Sequence, residues 1–287
     1  MSKCLTGREQ AEIQRVLEAL QGVTLLRQVL DSAVSRTVLA LLEALAAPEP
    51  EAAMVSRAYS DAWYALAAAT NEDPLLDVLP DAWQSFLVNR ILDDVNPWSR
   101  QVERAGGHGV AAALVQQAQR DLRAFQRIFE LSAQPLWQWT REIVAPVLPS
   151  LADAWVPWCE LASADQQRQH SPARKELCQQ MATCSDWSLL VEPLTKHWTR
   201  YGTGQFGRFP VLRWHGHEQG LCGVPYPDRI RLVNLISYER EQGLLKTNIE
   251  RFLAGLPAHD VVLYGAPGTG KSATVKALAN EYAEQGV

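Results

Sequence analysis

Val261-Val262-Leu263-Tyr264-Gly265-Ala266-Pro267-Gly268-Thr269-Gly270-Lys271-Ser272 is the stretch on which the reading of this 287-residue chain turns. Its first four residues form a short apolar run of the kind that makes a buried strand, and Lys271 to Tyr282 returns to helical composition. The order is strand, loop, helix. The loop fits the pattern G-x-x-x-x-G-K-[ST] in the setting that pattern requires. Glycines at such a turn let successive backbone N–H groups point inward at the positive end of the following helix, which makes a nest for phosphate oxygens. Gly268 and Gly270 allow close approach, and Thr269 supplies mainly an amide. Lys271 is placed to reach β- and γ-phosphates, and the hydroxyl of Ser272 to ligate Mg²⁺. The residues expected to hold a nucleotide are therefore Gly265, Pro267, Gly268, Thr269, Gly270, Lys271 and Ser272, with Ser272 also the metal ligand. A glycine-rich turn that binds nothing would leave the pairing of Lys271 with Ser272 unexplained.

Working upstream, Leu245, Ile249, Phe252 and Leu253 mark the buried stripe of a helix that Ser237 can cap and that Gly255 and Pro257 end. Before it the texture changes. Residues 201–227 carry six glycines and three prolines in place of helical periodicity. Within them Phe209 to Trp214 and Leu221 to Val224, separated by residues 215–220, read as a short hairpin or an extended linker. His215 and His217 alternate as on one strand face, but no third ligand stands at a spacing that would complete a metal site.

From residue 9 to about 200 the apolar positions recur at helical spacing, as in Ile13, Val16, Leu17, Leu20 and again in Leu122, Phe125, Phe129. Breaks fall at residues 47–50, 71–74, 96–97, 106–109, 146–149 and 171–172, where prolines and glycines start or stop helices, and Ser171 before Pro172 suits an N-cap. Seven to nine helices of ordinary length fit between them. Nine of the ten tryptophans lie in this region (63, 83, 98, 137, 139, 155, 158, 187 and 198). Rings of that size fill gaps between packed helices, and they also serve as recognition anchors; core packing is the expected role. His108 and His197 have no partners at catalytic spacing.

Composition sets the remaining bounds. The net charge is -5, divided as 18 Lys+Arg against 24 Asp+Glu in residues 1–200 and 9 against 8 in 201–287, so neither part favours nucleic acid by bulk charge. The five cysteines (4, 159, 178, 184 and 222) are odd in number, scattered and without a C-x-x-C pair, which suits reduced thiols. No apolar run reaches the roughly 18 to 20 residues of a membrane span, and the opening segment lacks the apolar centre of a secretory signal. A cytoplasmic protein is expected.

The segment from Arg231 to Tyr282 resembles the start of the ATPase core in the bacterial AAA+-like proteins of domain-of-unknown-function family 815. The residues that carry the likeness are the L-x-x-L-x-x-Y-E stretch at 232–239, the run Thr247-Asn248-Ile249-Glu250-Arg251-Phe252-Leu253-Ala254-Gly255, and the loop itself. Thr247 and Asn248 are inverted relative to that family's N-T, Pro267 stands where arginine is common, and Ser237 where many AAA+ proteins have glycine. The stretch 209–227 is similar too. The resemblance implies an AAA+ fold, ATP with Mg²⁺, homo-oligomers such as rings, and Leu235 and Ile236 near the adenine.

The expected architecture is mixed but mostly α: a helical domain over 1–200, a Gly/Pro-rich linker with a β-hairpin over 201–230, and the first strand, P-loop and helix of an incomplete AAA+ α/β domain over 231–287. An acidic Mg-holding strand, a polar sensor and an arginine finger would follow the loop in such a domain. Only fifteen residues follow Ser272. The chain is therefore expected to bind nucleotide rather than hydrolyse it, with the helical region engaging a macromolecular partner. Leu189-Leu190-Val191-Glu192 precedes the loop and reads as helix, not as the acidic strand. A non-enzymatic helical adaptor with a vestigial loop is the competing reading, and a P-loop kinase or GTPase fits the large helical region less well.

Overall fold

The computed structural model of the protein describes residues 5–73, 78–106, 109–161, 172–209, 211–217, 220–224, 227–236 and 238–282. The expected caps Ser171 and Ser237, together with His108 and Cys4, lie outside them. The chain divides into two compact units, Met1–Gly204 and Gln205–Val287.

The first unit is helical because its sequence alternates apolar stripes with caps. Helix α1 (Gly7–Gln21) opens on a reciprocal box in which Thr6 Oγ1 accepts the Glu9 amide at 3.3 Å and Glu9 Oε2 accepts the Thr6 amide at 2.7 Å. There follow α2 (Arg27–Leu30), α3 (Ala33–Ala46, capped by Ser32), α4 (Ala52–Glu72), α5 (Ala82–Asp93, capped by Asp81) and α6 (Pro97–Ala105). Asn96 caps α6, and its Pro97 sits at the first position, where a missing N–H costs nothing. Helices α7 (Ala112–Glu130), α8 (Ala133–Val144), α9 (Pro149–Ala154), α10 (Pro172–Thr183) and α11 (Val191–Tyr201) complete the unit, with 3₁₀ turns at Trp158–Leu161 and Trp187–Leu190.

The predicted stripes face inward: Ile13, Val16 and Leu20 on α1 and Leu122, Phe125 and Phe129 on α7 are buried. Trp83, Trp98, Trp158, Trp187 and Trp198 are wholly enclosed. Trp98 meets Trp198 edge-on with ring centres 4.6 Å apart, and Phe129 lies 4.9 Å from Trp187. Burying an indole favours an acceptor for its N–H, which three of these rings have. Trp198 Nε1 donates to the Leu92 carbonyl at 2.9 Å, Trp187 Nε1 to that of Met181 at 2.9 Å and Trp83 Nε1 to that of Ile128 at 3.3 Å. A buried ion pair ties α10 to α5: Arg174 contacts Asp93 at 2.8 Å and donates to Asn89 Oδ1 at 2.8 and 3.0 Å.

The second unit, by itself, begins within α12 (Gly204–Arg208) and continues into β1 (Leu212–Trp214) and β2 (Leu221–Gly223), paired antiparallel with Leu212 opposite Gly223 and Trp214 opposite Leu221. The hairpin alternative, rather than the extended linker, is the one that forms. Gly223 is required there, because a Cβ would stand 2.0 Å from the Phe209 ring. A 3₁₀ turn at Leu232–Asn234, α13 (Glu239–Leu253) and α14 (Lys271–Tyr282) enclose a small core of Leu232, Leu245, Ala277, Leu278 and Tyr282.

Two expectations need correction here. Phe252 is 68% exposed, since the stripe of α13 narrows to Leu245, Ile249 and Leu253, spaced four apart, and leaves residue 252 off to one side. The run Val261 to Tyr264 has no ladder partner among the described residues and does not form a strand; Val262 and Tyr264 stand 82% and 92% exposed.

Candidate functional site

The approach to the glycine-rich loop is fixed at the end of α13. Gly255, at φ +69°, lets the chain leave the helix in a left-handed turn, with its amide donating to Phe252 O at 2.9 Å and that of Leu256 to Arg251 O at 2.9 Å. Asn248 then clamps the returning chain through both ends of its amide: Nδ2 donates to His259 O at 2.8 Å, and Oδ1 accepts the His259 amide at 2.9 Å. Arg251 Nε adds a bond to Pro257 O at 3.0 Å. Leu263 alone of residues 261–264 packs against the small core.

The loop turns on glycines at positive φ, +148° at Gly265, +82° at Gly268 and +81° at Gly270, conformations closed to ordinary side chains at no cost. Thr269 Oγ1 closes the turn by donating to Ala266 O at 2.9 Å. Lys271 Nζ lies against the loop from its own helix, donating to Gly265 O at 3.0 Å, Ala266 O at 2.7 Å and Thr269 Oγ1 at 3.3 Å. The first turn of α14 is tied down by Thr274, whose amide and hydroxyl reach Gly270 O at 2.8 and 3.0 Å. Ahead of Thr274, the amides of Lys271, Ser272 and Ala273 have no acceptor among the described residues, as the geometry of a helix start dictates. The Ser272 side chain is exposed. All seven sequence-predicted residues thus gather in one turn, and the arrangement offers an anion free helix amides, one ammonium and one hydroxyl.

Anchors of α14 escaped the sequence reading. Asn280 Nδ2 donates to Asp228 O at 2.7 Å and Ile230 O at 2.8 Å, and Lys276 lies 3.4 Å from the Asp228 carboxylate. Tyr282 OH donates to Glu250 Oε1 at 2.9 Å, and burial together with that carboxylate pushes the phenol up to about 12. None of these belongs to a motif.

The residues the resemblance places near adenine diverge: Leu235 packs on the small core, and Ile236 is 92% exposed. Leu189 and Leu190 fall in a 3₁₀ turn and Val191 and Glu192 in α11. His217 meets the Trp214 ring edge-on, 5.8 Å between centres. His197 is buried beside Tyr201, and burial, with Arg174 second, pushes its imidazole down to about 4. Among the described residues no three His, Cys, Asp or Glu side chains are grouped to hold a metal, and no helix is long and apolar enough to cross a membrane.

Residues 207–287 match a family model described as Protein of unknown function (DUF815). No curated protein and no solved structure matches the chain.

Proposed function

We propose that the chain, which belongs to the DUF815 family through residues 207–287, binds a nucleoside triphosphate with Mg²⁺ at residues 265–272. The observation that carries this reading is the conjunction of three positive-φ glycines with acceptor-free amides at the start of α14 and the Lys271 ammonium beside them. Oxygens of a phosphate are the acceptors such a turn lacks, and they would draw Lys271 from the carbonyls of Gly265 and Ala266, which are weaker partners for a cation than an anion is. Ser272 would hold Mg²⁺, which would supply positive charge to offset that of the phosphates.

ATP as the nucleotide, AAA+ kinship, assembly into homo-oligomers and residence in the cytoplasm follow from the resemblance of residues 231–282 and are part of the same proposal. In it the helical unit engages a macromolecule. Titration calorimetry of Mg-ATP into the full chain tests the proposal. A saturable site that depends on Lys271 is expected, weakened at least thirtyfold by Lys271→Ala, with ATP outcompeting GTP. A tenfold excess over Kd is expected to stabilise the binding unit by about 1.4 kcal/mol. Absence of any Mg-dependent uptake, with the helical unit still capturing a partner, would replace this reading by that of an adaptor with a vestigial loop.

A further inference from the structure

We propose that a cleft along α6 of the helical unit is a separate anion site, shaped for a small molecule carrying two or more phosphate groups. The cleft encloses about 1000 Å³, at the upper end of what a small-ligand pocket offers. Helix α6 contributes Arg100, Gln101 and Arg104, while α2 contributes Arg27, the turn before it Thr24 and the residue after it Asp31.

Charge is the first argument. Residues 1–200 carry 18 Lys+Arg against 24 Asp+Glu, yet the lining of this cleft holds three arginines against one aspartate. A concave positive surface on an otherwise acidic unit focuses its field on anions.

Pairing is the second. Three other arginines of the unit are closely matched, Arg123 with Asp186 at 3.2 Å, Arg141 with Asp153 at 2.6 Å and Arg174 with Asp93 at 2.8 Å, while others such as Arg8 and Arg15 have no such partner among the described residues but do not line this cleft. Arg27, Arg100 and Arg104 have no ion-pair or side-chain hydrogen-bond partner among the described residues. The carboxylate nearest to two of them in sequence, Glu103, is committed elsewhere, accepting the amide and hydroxyl of Thr203 at 2.7 and 2.8 Å. Arg100 and Arg104 stand one helical turn apart and repel each other until an anion sits between them. Arg104, in the last turn of α6, and Arg27, in the single turn of α2, also suit a helix dipole, but Arg100 has no such local reason.

Rigidity is the third. The turn that delivers Arg27 is pinned by Asp121 of α7, whose Oδ2 accepts the amides of Thr24, Leu25 and Leu26 at 3.1, 2.7 and 3.2 Å. The start of α6 is fixed by Asn96, whose Oδ1 accepts the amides of Trp98 and Ser99 at 2.9 and 3.0 Å. Guanidinium forks on two anchored segments match the oxygens of phosphate in pairs, which lysines would not.

The test uses the full chain carrying Lys271→Ala, so that uptake at residues 265–272 does not contribute, and titrates it calorimetrically with tripolyphosphate and, separately, citrate. One saturable tripolyphosphate site is expected, with citrate at least tenfold weaker. Adding Arg27→Gln, Arg100→Gln and Arg104→Gln, all at exposed positions, is expected to weaken tripolyphosphate at least thirtyfold with an unchanged urea midpoint. The proposal is overturned by a lack of saturable heat, by equal affinity in the glutamine variant, by citrate matching tripolyphosphate, or by a single-stranded RNA oligonucleotide displacing it at lower concentration. Repeating the Mg-ATP titration in a chain carrying Arg27→Gln, Arg100→Gln and Arg104→Gln with Lys271 intact reads residues 265–272 with the cleft disabled, so failure of one site leaves the other's result standing.

Discussion

Replacing Asp121 by alanine tests how much of the helical unit hangs on a single carboxylate. The side chain is wholly buried on α7, and its Oδ2 takes three consecutive amides while Oδ1 takes Gln117 Nε2 at 2.9 Å. The three losses are unequal. Leu26 is 0% exposed, so its amide would be left without partner or water, at a cost of about 1–3 kcal/mol. Thr24 is exposed and Leu25 half-buried, so water replaces the carboxylate there and each loses only the net value of a bond, roughly 0.5–1.5 kcal/mol. Together these give a loss of about 4 kcal/mol, a large share of the roughly 5–15 kcal/mol that holds a domain together. Urea unfolding followed by tryptophan fluorescence reads it directly, since nine of the ten tryptophans lie within residues 1–200. Asp121→Asn keeps an acceptor and is expected to lose about half as much. A loss under about 1 kcal/mol in the alanine variant would refute the reasoning, and an asparagine variant as unstable as alanine would assign the effect to the carboxylate's charge rather than to an acceptor oxygen.

Two buried groups of the same unit set opposing pH dependences. Burial pushes the Asp94 carboxyl up from 3.8 to about 6, against the pull of Asn96 Nδ2 at 2.8 Å. A folded pKa above the unfolded one means the folded state resists ionisation, so the penalty is full above about 6 and gone below 3.8. Asp94→Asn is therefore expected to raise stability by up to about 3 kcal/mol at pH 8, the gain shrinking as pH falls from 6 toward 4; a gain that ignores pH would contradict this. His197, pushed down from 6.5 to about 4 by burial and then by Arg174, carries the opposite sign. Below 6.5 the unfolded chain takes a proton the folded one refuses, so stability drains away as pH falls through that window, by about 3 kcal/mol in all. In His197→Gln that slope is expected to vanish whatever the absolute stability, and urea midpoints at half-unit pH steps would expose a slope that persists.

What the sequence made legible follows from the range of the interactions involved. The stripes of α1 and α7, the cap-and-proline start of α6 and the glycine turn at 265–270 depend on residues within one or two helical turns, so local pattern specifies them. Helices α2 and α9, four and six residues long, are too short to show a period, and they are the ones a count of seven to nine ordinary helices leaves out. Asp121 was unreadable because its partners lie 95 to 97 residues away. Asn280, reaching back 50 and 52 residues, was unreadable for the same cause. Asn248 stood out in the sequence only as an inversion relative to a family pattern; its meaning, a two-point clamp on His259, exists only once the chain has turned at Gly255. The arginines of the α6 cleft come from segments separated by a whole run of helices and share no motif.

The loop is held chiefly from its helix side. Of residues 261–264 only Leu263 contributes to the small core, whereas α14 is fastened at Gly270 by Thr274, at Asp228 and Ile230 by Asn280, and at Glu250 by Tyr282. The amides that would meet a phosphate belong to this same helix, so its anchors aim them. Backbone shape, encoded by the three glycines, decides whether a nest can form; the long-range bonds of Asn280 and Tyr282 decide whether it is presented in one orientation. Under the proposed function, affinity for a triphosphate would therefore depend on residues outside the motif, because an anion gains most from donors whose ordering has already been met by folding rather than by binding.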